Sequence, residues 1–212
     1  MKHRWLKAVV LMMSVIGGSQ TVMVAAHAAV ADDVGQIVAA HAADADGGAA
    51  LRAAFASLIS NAANPATAAA EVIASLGGAS PAALAAVAGA IDGMDSITPD
   101  ALAAAIGKVV ADGGKGADAI SATVLAVAQY FGEDNRKAAG RGLAIAVASL
   151  KDLPGMADVA GKIIAQVDAS GLDEVKTAYA EEASEIQTAG LNNQTGDTLL
   201  AKTTPLTTQS PN

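Results

Sequence analysis

Proline and glycine cut this chain into helix-sized lengths. Pro65, Pro81, Pro99 and Gly116 follow one another at steps of 16, 18 and 17 residues, and Pro154 to Gly171 is again 17. A step near 17 holds one short helix and its turn, so two steps make a unit of about 34 residues, the size of a helical-hairpin repeat. The segments between the breakers carry branched aliphatics at helical spacing. Leu84, Val87 and Ile91 form one stripe; Leu102, Ile106 and Val109/Val110 form another; Val159, Ile163 and Val167 form a third. The spacing predicts helices over 33–43, 49–62, 66–76, 82–92, 100–112, 117–131, 135–150, 156–168 and 172–187. Alternating β-branched and aromatic residues are nearly absent, so strands are not expected.

The helix ends are marked too. Pro65, Pro81 and Pro99 suit the first helical position, where no amide partner is needed. Asn64, Ser80 and Thr98 precede them as natural N-caps. Gly77-Gly78, Gly93, Gly113-Gly114 and Gly132 follow apolar runs, as C-terminal glycines do. The reading is all-α, about nine short Ala-rich helices, arranged either as an α-solenoid-like helical repeat or as an irregular multi-helix bundle. The 54 alanines carry little apolar area each, so the core has to be made by close approach of helix axes. Phe55, Tyr130 and Phe131 are the expected bulky fillers.

Residues 1–31 have the layout of a secretory signal peptide. Lys2, Arg4 and Lys7 form a basic start, and an apolar stretch runs from Ala8 to Gly17. Two small-x-small sites end it, Ala26-His27-Ala28 and Ala29-Val30-Ala31, placing cleavage after Ala28 or after Ala31. The apolar core is nearer ten residues than the roughly twenty that span a bilayer. The expected localisation is periplasmic or secreted, by bacterial export. The helical domain is 32–187. The segment 188–212, rich in Thr, Asn, Gln and Pro, is expected to be a disordered tail.

Removing the leader leaves 10 Lys+Arg against 21 Asp+Glu, a formal net charge of −11. That balance argues against nucleic acid as a partner. The absence of cysteine excludes disulfides, Cys-ligated zinc, iron–sulfur clusters and thiol catalysis.

Four groupings offer chemistry. His41 with Asp44 and Asp46, near Asp32 and Asp33, has donor types that bind a divalent metal. A solvated helix end explains the same residues, and no metal site is assigned. Asp92, Asp95 and Asp100 surround a turn, but the carboxylate order of a calcium loop is missing. Their bland explanation is a Schellman-type stop followed by a helix capped by Thr98, with Asp100 at its positive end. Arg136, Lys137 and Arg141 form a basic cluster able to hold an anion or lipid headgroup. Glu133 and Asp134 offset it, which makes it a solvated face. Gly113-Gly114-Lys115-Gly116 lacks both the order and the preceding strand of a phosphate loop, and reads as a helix–helix turn. No catalytic residue and no cofactor are assigned, since a Ser–His–Asp triad would have to use His41 and no nucleophile elbow is present.

Residues 72–91 are twenty consecutive uncharged residues, but Gly77, Gly78, Ser80 and Pro81 split them into two short helices. Stable membrane insertion is therefore not expected. The expected function is that of an exported non-enzymatic helical protein, an interaction or structural module whose partner is unknown, with another envelope or secreted protein as the candidate. The alternatives are a membrane-active protein inserting apolar hairpins, and a hydrolase with an unrecognised Ser–Lys or carboxylate site.

Overall fold

The computed structural model describes residues 19–41 and 48–201, with side-chain surroundings over 30–41 and 48–189. Among the described residues there are nine α-helices and no strand. They are α1 (Ser19–Ala40), α2 (Ala49–Ser60), α3 (Pro65–Ser75), α4 (Pro81–Asp92), α5 (Pro99–Asp112), α6 (Ala117–Ala128), α7 (Glu133–Lys151), α8 (Ala157–Ala169) and α9 (Asp173–Ala201), with a 3₁₀ turn at Gly114–Gly116. The seven inner helices begin and end within three residues of the sequence expectation. The two outer ones differ. α1 starts at Ser19 rather than 33, and α9 runs to Ala201 rather than 187.

The cap chemistry explains the good agreement in the middle. Asn64, Ser80 and Thr98 each accept a hydrogen bond from the backbone N–H three residues on, at 3.0, 3.3 and 3.2 Å, and each is followed by proline as the first helical residue. The C-terminal glycines behave less uniformly. Gly78 is left-handed at φ 76°, and so is Gly114 at 53°. Gly93 is not, so the stop after α4 is no Schellman motif. Two successive i→i+3 turns do the work there, Met94 N–H to Ile91 and Ile97 N–H to Met94. Gly132 is extended and serves as the N-cap of α7, not as the terminator of α6.

The helices pack in two rows, each helix on the one two places along. α1, α3, α5, α7 and α9 form one row; α2, α4, α6 and α8 form the other. Contacts of α2 with α3, α5 with α6 and α7 with α8 join the rows, and α3 also reaches α6. This alternate-helix order is that of stacked hairpins, with α5–α7–α9 its most closely packed part. The three aliphatic stripes face the core as the periodicity requires, and Phe55 and Phe131 are fully buried. Tyr130 is not: it is 41% exposed. Both residues lie in the turn that follows α6, and of the two it is the Phe131 ring that enters the core.

Close approach is greatest along α7. An added Cβ at Gly142 would lie 2.8 Å from the Ala103 carbonyl oxygen of α5, and one at Gly140 would collide with the Val175 carbonyl of α9. Opposite them, Gly107 of α5 would place a Cβ 2.7 Å from Ile145. Glycine at these positions lets α7 sit backbone to backbone between two neighbours.

Candidate functional site

α7 organises the polar surface of the molecule. Its first turn is docked by Asp92, the last residue of α4. The Asp92 carboxylate accepts from the Gly132 N–H at 2.8 Å and from the Asn135 side-chain amide at 2.7 Å. A side chain forty residues away thus supplies the capping acceptor that Gly132 lacks. Two carboxylates of the Asp92–Asp100 turn are thus engaged with α7. Asp92 faces α7, and Asp100 accepts from the Arg141 guanidinium at 2.6 Å.

The basic cluster is resolved in the same way. Arg141 binds Asp100 of α5, Arg136 lies 3.4 Å from Glu174 of α9, and Lys137 binds Glu133 one turn back at 2.6 Å. The hydrogen bond with Lys137 holds the Glu133 carboxyl below its usual range and raises the Lys137 ammonium. Only that last pair is the local offset read from the sequence. Arg136 and Arg141 instead clip α7 to the helices on either side. A further clip joins α8 to α6, where Lys162 lies 3.2 Å from Asp118 and Gln166 donates to the Asp118 backbone carbonyl at 3.1 Å. The Lys162 hydrogen bond lowers the Asp118 carboxyl. Each of these ion pairs has an exposed partner, so their value is in register rather than in net stability.

The α7–α9 seam carries two depressions. The first, of about 510 Å³, is lined by Asp173, Glu174 and Glu181 with Lys137, Thr177 and Ala178. The second, of about 280 Å³, has a buried or half-buried apolar lining of Ala144, Val147, Ala148, Ala183 and Ile186. Tyr179 is half-buried within it, and the exposed side chains of Lys151, Asp152 and Gln187 complete the lining. Burial, and secondarily the charge of Asp168, raises the Tyr179 phenol above its ordinary value. The arrangement is an apolar groove with polar edges, of a kind that receives a side chain or a short segment.

His41 follows α1, half-buried, with its backbone N–H on the Ile37 carbonyl at 3.2 Å. Asp44 and Asp46 lie outside the described residues, and among the described residues no three His, Asp or Glu side chains are grouped to hold a metal. Gly114–Gly116 is the helix–helix turn expected. The uncharged run 72–91 is split between α3 and α4, and among the described residues no helix is long and apolar enough to cross a membrane.

Sequence reasoning missed Tyr179, the Asp92 cap and the two arginine clips. The cap and the clips are long-range pairings with no local spacing to betray them. The glycines of α7 did leave a signal. Two glycines two residues apart inside a 19-residue helix weaken it by roughly 1 kcal/mol each relative to alanine, which points to a packing reason. No protein-family model, curated protein or solved structure matches this chain.

Proposed function

We propose that this chain is an exported, non-enzymatic helical protein that acts through its surface as an interaction or structural module of the cell envelope or the exterior. The observation that carries the reading is the use of its polar side chains. Asp92, Arg136, Arg141 and Lys162 each bridge two helices, so these charged groups are committed to holding the stack. The apolar α7–α9 groove is left as a concave surface, and a polypeptide from another envelope or secreted protein is the occupant that suits it. The leader pattern of residues 1–31 supports export.

The test is site-specific photo-crosslinking in exporting cells. A crosslinker at Gln187, on the edge of the groove, is compared with one at Gly161, an exposed position on α8. A discrete adduct from position 187, absent from 161, supports the reading. No adduct from 187, leakage of liposomes by the purified protein, or turnover of hydrolase substrates above blank overturns it.

A further inference from the structure

The two small-x-small sites differ in what they leave of the core. α1 meets α3 and α2 through one stripe: Val34 is buried, and Val30, Ile37 and Val38 are half-buried against the same cluster. These residues lie at i, i+4, i+7 and i+8, a single helical face. Val30 stands between the two cuts. A cut after Ala31 would discard it; a cut after Ala28 would keep it. From this packing we infer that the leader is removed after Ala28, so that the folded protein begins at Ala29; the inference rests on the export reading above.

Two physical points favour this site. Residues that pack into the folded body belong to it, and without Val30 the outermost turn of the α1 contact on the stack would be open to water. A cut after Ala28 leaves twelve helical residues, Ala29 to Ala40, whereas a cut after Ala31 leaves nine. So short a helix has little stability of its own and depends on tertiary contacts, so losing one turn and one of four apolar contacts matters.

The experiment is expression of the full chain in an exporting bacterium, followed by intact mass and N-terminal sequencing of protein from the envelope and the medium. Ala29 as first residue is expected. Asp32 as first residue overturns the inference while leaving export standing. An intact Met1 overturns the export reading and the inference together. A second measurement tests the physical cause. Chains beginning at Ala29 and at Asp32 are compared by thermal melting, with Val30→Ser in the longer one. The Asp32 chain and the V30S chain should both melt lower, by on the order of 2 °C. Equal melting of all three would show that Val30 does not close the core and would overturn the argument.

Discussion

Gly142→Ala should destabilise this protein, although the same change in an open helix is stabilising. An alanine Cβ at position 142 would lie 2.8 Å from the Ala103 carbonyl oxygen and 2.8 Å from both Cβ and Cγ2 of Ile106. Neither neighbour is the free end of a flexible side chain: one is α5 backbone, the other the branch point of a β-branched residue. Restoring ordinary contact requires α7 and α5 to part by roughly half an ångström. α7 has little room to give, because Gly140 on its other side already rests against the Val175 carbonyl of α9. Such overpacking costs about 1–3 kcal/mol. The better helix propensity of alanine offsets about 0.8–1 kcal/mol of it. The net effect is a loss of about 1 kcal/mol, with an upper end near 2, or a melting temperature lowered by about 2–4 °C per kcal/mol. Gly161→Ala is the control. Gly161 lies in α8 with nothing within 4 Å of its would-be Cβ, so this change should stabilise by about 0.5–1 kcal/mol. Urea unfolding followed by helical circular dichroism reads both. A Gly142→Ala midpoint equal to or above wild type would refute the backbone-to-backbone packing of α7.

Ser121 is fully buried in α6 with its hydroxyl unpartnered, so Ser121→Ala should raise stability by about 1 kcal/mol in the same assay; a loss would mean the hydroxyl has a partner in solution. Asp92→Ala strips the Gly132 N–H and the Asn135 amide of their acceptor and should cost about 1 kcal/mol, whereas Asp92→Asn, which keeps an acceptor oxygen, should cost less. Equal losses from the two would show that the charge, not the cap, matters. The Tyr179 phenol is raised by burial, so its contribution is fully present below pH 10, the ordinary value, and is lost as pH rises through the folded value. Tyrosinate absorbance should therefore contain a late-ionising component that Tyr179→Phe removes; loss of an ordinary component instead would contradict the burial.

The inner helices were legible because their signals are local. Asn64-Pro65, Ser80-Pro81 and Thr98-Pro99 each encode cap and first turn within a few residues, and the hydrogen bonds fall where the letters place them. The ends of α1 and α9 were less legible. There the sequence lacks a proline start or a glycine stop at the helix bound, and the aliphatic periodicity covers only part of each helix. Tyr130 went astray for a related reason: bulk and apolarity put it in the core, but the turn geometry admitted only its neighbour Phe131.

The groove and the clips lay beyond sequence reasoning altogether. Arg141 and Asp100 are 41 residues apart, Arg136 and Glu174 are 38 apart, and no spacing rule joins such pairs. By itself the sequence determined that the chain is helical, where most helices begin, and which stripes turn inward, since propensity, capping and periodicity act over single turns. Only the tertiary structure decided that alternate helices stack in two rows, that α7 lies wedged on its glycines between α5 and α9, and that the basic cluster is spent on its neighbours. Those outcomes depend on which small-residue surfaces can approach most closely, a property of pairs of helices that no single segment contains.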